Sequence, residues 1–307
     1  MKAYASWAFA MMTGLGFTGA VGCSSPPDPE ATEEACLRLA TANCQKYNAC
    51  RPRWLQATFG DVDTCATQYA ATLCRNRLGI AGTSDTPATV DACAAALTSA
   101  TCAQFLDNDL AVSACLALPG ALPTGAACGT PAQCQTVTCE FPAGAACGRC
   151  GAPLRAAGAP CTSSSQCESN LQCFNDVCAL PGGVGARCVD SFECQYPLSC
   201  MIDRCAVSAN AGESCATAPC NDRDGLFCRN VVCQPLQLVG KGEPCDDADF
   251  RFCRAGFCMP TGLSTEGTCV ASAVVGGPCS DAIGPFCLPW ARCVQGVCET
   301  ADPGMCK

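Results

Sequence analysis

The sequence predicts a small disulfide-rich protein. An N-terminal disulfide-stapled α-helical domain is followed by a linear array of six short β-hairpin/loop cysteine-rich modules. Three observations predict it. The 307 residues contain 35 cysteines, above the ~8–10% at which composition alone marks a disulfide scaffold. Leu, Ile, Val and Phe supply 53 residues, below the roughly 20% needed to offset chain entropy by burial. Alanine-rich segments fill residues 31–118, whereas after Pro119 six units open with Gly-x-x-Cys. Crosslinks, not a large core, must hold such a chain folded.

Four segments build the helical domain. "EATEEACLRLATANCQKYNAC" carries acidic residues in its first turn and no Gly or Pro inside, as a helix requires. "DVDTCATQYAATLCRNRLG" opens on a capping Asp and closes with Arg75 and Arg77 before Gly79. "TPATVDACAAALTSATC" offers Thr86 as cap and Pro87 at the first helical position. "NDLAVSACLAL" ends before Pro119. Cys65 and Cys74, and likewise Cys93 and Cys102, stand nine residues apart. On a helix that is about 900°, opposite faces, so neither pair closes on itself and each helix should be stapled to two neighbours.

The modules, within residues 119–307, start near 125, 158, 185, 212, 242 and 276. Their first cysteines, Cys128, Cys161, Cys188, Cys215, Cys245 and Cys279, are 33, 27, 27, 30 and 34 residues apart, an internal repeat. The regular units read C-x5-C-x5-C-x4-C. Their final C-x4-C, as in "CFNDVC", "CMIDRC", "CRNVVC", "CRAGFC" and "CVQGVC", suits a hairpin with a two-residue turn. The leading glycine supplies a turn before the first cysteine. Two units are irregular: the first ends in "CEFPAGAACGRC", and the fifth has a late Cys269. One loop and one small hairpin cannot fold unaided.

The N-terminus reads as a targeting segment. Residues 1–22 hold one basic residue, Lys2, and an apolar run through Val21, the pattern of a signal peptide. Ala20-Val21-Gly22 before Cys23 resembles the lipobox of bacterial lipoproteins, with Ala20 where that family carries Leu. The resemblance implies cleavage between Gly22 and Cys23 and acylation of Cys23. Ser24 after the cysteine implies, by the family's sorting rule, the outer membrane. Residues 23–30 then read as an acylated cysteine on a proline-rich extended tether. This places the chain in the oxidising cell envelope, where disulfides persist.

The repeated Gly-x-x-Cys frame resembles Dickkopf N-terminal and EB-type cysteine-rich modules, and the whole layout resembles the cysteine-rich lipoproteins of predatory soil bacteria. The resemblance implies structural disulfides at Cys161, Cys167, Cys173, Cys178, Cys188, Cys194, Cys200, Cys205, Cys215, Cys220, Cys228 and Cys233. It also implies first-with-third and second-with-fourth pairing, Cys161–Cys173 and Cys167–Cys178. Parity adds a constraint of its own. Setting Cys23 aside, 13 cysteines lie up to Cys150 and 21 from Cys161. Both counts are odd, so either a bridge crosses between the parts or a cysteine on each side stays unbridged within the chain. The five-cysteine units, Cys128–Cys150 and Cys279–Cys306, are the place to look.

Chemistry is scarce. The chain has no histidine, which removes the commonest general base, transition-metal ligand and nucleophile partner. One C-x2-C, Cys147 and Cys150, stands without the second pair that zinc favours and without the strand–helix setting of a redox motif. The acidic loops "CNDRDG" and "CDDADF" lack the spacing of a dedicated calcium loop and read as solvated turns. Asp246/Asp247 and Glu33/Glu34 are adjacent carboxylates, which rarely face one cleft. The net charge of −9 without a Lys/Arg run argues against nucleic acid. The sequence therefore predicts a non-enzymatic envelope or surface lipoprotein with no cofactor and no metal. A lipid anchor holds it to the outer membrane, and its loops contact an extracellular protein or glycan. The alternative is a secreted or anchored ligand of the protease-inhibitor type.

Overall fold

The computed structural model describes residues 29–306, except 75–76, 108–109, 143–144, 146, 169–170, 175, 247–248, 262–265, 281 and 301. Gly22, Cys23 and the tether up to residue 28 lie outside the described residues.

The helices are α1 (Pro29–Cys50), α2 (Pro52–Thr58), α3 (Val62–Tyr69), α4 (Pro87–Ser99) and α5 (Cys102–Leu106). A π-helical turn, Ala70–Cys74, extends α3, and a 3-10 turn spans Leu110–Cys115. Helix α1 starts inside the expected tether, because a proline costs nothing in a first turn whose N–H has no partner anyway. The expected caps form: the Asp61 side chain accepts from the Thr64 amide at 2.7 Å, and Thr86 and Thr89 make a reciprocal capping box with Pro87 at the start of α4. A second capping box, Thr101 with Gln104, restarts the helix as α5, so Cys93 and Cys102 do not share one helix.

Helix α1 is the spine, carrying Cys36–Cys74, Cys44–Cys65 and Cys50–Cys102. Cys65 and Cys74 thus reach one neighbour, against the expectation of two. The π turn between them winds more residues into each turn than an α-helix, which swings Cys74 back towards α1. Cys93, on α4, bonds Cys115 of the 3-10 turn. Two apolar clusters flank the spine. One gathers Leu39, Leu78, Val90, Leu97 and Val112; the other gathers Ala40, Leu55, Phe59, Ala66 and, from far along the chain, Leu288.

After Pro119 the chain forms small sheets, antiparallel except for the parallel pairing of Gln237–Val239 with Arg251–Cys253. β1 (Ala127–Cys128), β2 (Cys139–Glu140) and β3 (Gly148–Cys150) lie in the order β1-β3-β2. Hairpins follow: β4 (Gln172–Phe174) with β5 (Val177–Ala179), β6 (Ser199–Met201) with β7 (Arg204–Ala206), and β8 (Leu226–Arg229) with β9 (Val232–Pro235). Next is a five-stranded sheet of β10 (Gln237–Val239), β11 (Pro244–Asp246), β12 (Arg251–Cys253), β13 (Gly256–Pro260) and β14 (Glu266–Ala271), in the order β10-β12-β11-β14-β13. A last hairpin joins β15 (Arg292–Val294) to β16 (Val297–Glu299).

The two-residue turns form where expected, with Met201 facing Arg204, Arg229 facing Val232 and Val294 facing Val297. "CRAGFC" is the exception. β12 and β13 do not pair; β13 pairs with β14, which sets Cys258 opposite Cys269. The late cysteine thus moves the hairpin one strand onward. The glycines before each first cysteine, at 125, 158, 185, 212, 242 and 276, all have φ between +81° and +86°, the left-handed turn expected of them.

The array is not linear. Cys147 bonds Cys306, 159 residues away, and closes the β region into a ring. That ring is seated on the helices. Trp290 stacks on Phe59 with centroids 5.6 Å apart and meets Tyr69 edge-on. Buried Gln68 donates to the Pro289 carbonyl at 2.9 Å and accepts from the Val275 amide. Gln133 donates to the Ala81 carbonyl, and the Ala255 amide donates to the Gln56 carbonyl.

Candidate functional site

Every cysteine from Cys36 to Cys306 is disulfide-bonded, in seventeen bridges. In the β4–β5 hairpin Cys173 and Cys178 stand directly opposite. Opposed residues project to one face, and there each meets a loop cysteine, giving Cys161–Cys173 and Cys167–Cys178. The same order gives Cys188–Cys200 with Cys194–Cys205, and Cys215–Cys228 with Cys220–Cys233. The two bridges are most of each hairpin's interior; Cys161, Cys167, Cys178 and Leu171 form one such cluster.

This crowding brings sulfurs such as those of Cys161, Cys167 and Cys178 within 4.8 Å of one another, a spacing a metal could span. The sulfurs are already spent in disulfides, and only a thiolate ligates a metal or attacks an electrophile. The C-x2-C pair is split likewise: Cys147 bonds Cys306 and Cys150 bonds Cys134.

The carboxylate candidates are scattered. Glu33 and Glu34 are exposed on α1, where Glu34 pairs with Arg38 at 3.3 Å. Asp246 is buried in β11, and Asp247 lies outside the described residues. In "CDDADF", Asp249 pairs with Arg229 at 3.2 Å. In "CNDRDG" the oxygens that calcium would need already accept hydrogen bonds. Asp222 takes those of Ser191 at 2.8 Å and Ser199 at 3.2 Å. Asp224 takes those of Tyr196 at 3.0 Å and Asn221 at 2.8 Å.

That loop belongs to a polar joint between ring and helices, which the sequence did not single out. Arg223 is 4% exposed. Its guanidinium donates to the Cys194 carbonyl at 3.0 Å and to Asp107 at 3.2 Å, and lies over the rings of Phe192 and Tyr196. Asp107 also accepts from the Tyr196 amide at 2.8 Å. Arg51, from the α1–α2 corner, donates to the Arg223 carbonyl. Burial, and then the nearby Asp224 charge, push the Tyr196 phenol up to about 12. Burial also raises the Asp224 carboxyl, which the Tyr196 hydrogen bond partly counters. A buried pair with this many hydrogen bonds sets position and orientation more than it adds net stability. The joint locks one hairpin against the end of α5.

The hairpin tips face outward. Ile202 is 84% exposed and Val231 57%, and both are in the left-handed region, at φ +47° and +67°. Two-residue hairpin turns favour Asn-Gly or Asp-Gly because both central residues need positive φ. A β-branched residue there is strained at a cost of roughly 1–2 kcal/mol, and it presents an aliphatic side chain to water. Val189, beside Cys188, is 90% exposed. The C-x4-C spacing located these tips; the backbone geometry that makes their occupants unusual was not readable from it.

No family model, no curated protein and no solved structure matches the chain. Among the described residues, no helix is long and apolar enough to cross a membrane.

Proposed function

We propose that the protein is a non-enzymatic lipoprotein of the cell envelope. Six cysteine-rich units, ordered as a ring on a helical base, present short rigid tips to an extracellular protein partner. The observation that carries this is the pair of exposed, strained aliphatic tips, Ile202 and Val231. Disulfides with one or two small or aliphatic side chains fill the interiors of the three hairpin units, which leaves the exposed tip residues free of any core role. Strain at exposed positions is retained where a partner uses the residue. Aliphatic tips suit a protein surface better than a glycan, which offers hydroxyls. Cys23 is the anchoring residue in this reading, with Pro26 and Pro27 near it as spacer.

Immobilised chain, wild type against the I202N/V231N double variant, tests the reading by capture from outer-membrane and extracellular fractions. Retention of a protein by the wild type and its loss with the variant supports the proposal; identical capture by both defeats it. The protease-inhibitor alternative rests on the same rigid exposed loops. Sub-micromolar inhibition of a protease by the folded chain would select it. Replacing Cys23 by Ala should move the protein from the membrane to the soluble fraction and abolish radiolabelled palmitate incorporation; unchanged membrane partition would remove the anchor from the reading.

A further inference from the structure

A cavity of about 320 Å³ opens in the helical domain between α1, α4, α5 and the 3-10 turn. It does not involve the hairpin tips. Tyr47, Tyr69, Leu97, Phe105 and Val112 line it, together with the Cys93–Cys115 bridge. Its size and aromatic walls are those of a small-molecule site.

The polar groups on its wall narrow the ligand. Asn43 Oδ1 is buried there and accepts no hydrogen bond among the described residues. A buried acceptor normally has a donor, and among the described residues no side chain supplies one. The Arg77 guanidinium is bound to Asp85 at 2.8 and 3.1 Å, so its charge is already matched. Gln104 Oε1 is engaged by the Thr101 amide. Among the described residues, no carboxylate lines the cavity. A cation would therefore find no counter-charge, and an anion would find only a guanidinium already paired. Burial pushes the Tyr69 phenol up to about 12 and also raises the Tyr47 phenol, so both tyrosine walls are neutral at physiological pH.

We propose that this cavity binds a small neutral amphiphile: an apolar, ring-sized body bearing one O–H or N–H donor that satisfies Asn43 Oδ1. Size comes from the cavity, neutrality from the matched charges and the donor from the unfilled acceptor.

p-Cresol and toluene are the probes, since they share a body and differ in the hydroxyl. Binding is read by calorimetry and by the fluorescence of Trp54, which lies 4.7 Å from Tyr47 on the cavity wall. The wild type should bind p-cresol saturably and about tenfold more tightly than toluene, because toluene leaves the acceptor unfilled. Asn43→Leu should reduce that preference to within about twofold, with toluene still bound. Val112→Phe, which fills the space, should abolish both, and near-UV circular dichroism identifies folded variants. The I202N/V231N chain should bind p-cresol as the wild type does, which separates this site from the partner-binding tips. Absence of saturable p-cresol binding to the wild type, an undiminished preference in Asn43→Leu, or binding retained by Val112→Phe overturns the proposal.

Discussion

At the scale of single residues, Arg223 decides how the ring meets the helices. It is the one buried arginine of the "CNDRDG" loop, and its partners Asp107 and Leu106 are more than a hundred residues away. Arg223→Leu leaves Asp107 without its charge partner and should destabilise the protein by roughly 3–5 kcal/mol, measured by chemical denaturation; a loss under 1 kcal/mol would mean the joint is peripheral. Tyr196 makes the same joint pH-sensitive. Its folded-state pKa lies at about 12, above the ordinary value near 10. Between those values the folded state keeps a proton that the unfolded state has released, so stability falls as pH rises. The contribution is whole below about pH 10 and lost towards pH 12. Tyr196→Phe should flatten that decline in unfolding experiments at pH 9, 10 and 11, and an unchanged slope would assign the decline elsewhere.

At the scale of elements, the hairpins trade stability for display. Ile202→Asn at the β6–β7 tip relieves a left-handed β-branched residue and should stabilise the hairpin by about 1 kcal/mol, seen as slower exchange of the β6 and β7 amides. Partner capture should fall in the same variant. Gains in both stability and capture would contradict a tip selected for binding. The elements were largely legible. Asp61 and Thr86 declared their helices, and C-x4-C declared three of the hairpins now seen with registered two-residue turns. The π turn was not legible, because nothing in "AATLC" distinguishes i→i+5 from i→i+4 bonding until Cys74 is tied to Cys36. The "CRAGFC" hairpin failed for a related reason: strand pairing there follows the tie between Cys253 and Cys269, a tertiary constraint.

At the scale of the whole molecule, Cys147–Cys306 turns a string into a ring. An unbranched loop of about 100 residues is worth about 4.7 kcal/mol of closure entropy. The bridges inside this one shorten its effective length, so the C147A/C306A double variant should lose no more than about 5 kcal/mol. It should keep its helices while the β1–β3 sheet and the C-terminal segment become protease-sensitive. Peptide mapping should recover Cys147 linked to Cys306, and any other partner for either would refute the ring. Reduction should add about 34 Da, two hydrogens for each of the seventeen bridges.

The sequence by itself determined the disulfide scaffold, the change from helix to hairpin at Pro119 and, through odd cysteine counts up to Cys150 and from Cys161, that a bridge had to leave one part or a thiol stay unbridged. Composition and spacing are local or additive properties, and these conclusions need nothing more. Only the tertiary structure decided which cysteine answers Cys147, that Leu288 enters the helical core while Trp290 stacks on Phe59, and that Arg223 faces Asp107. Each joins residues far apart in the chain, through packing and charge in three dimensions that no spacing along the sequence encodes.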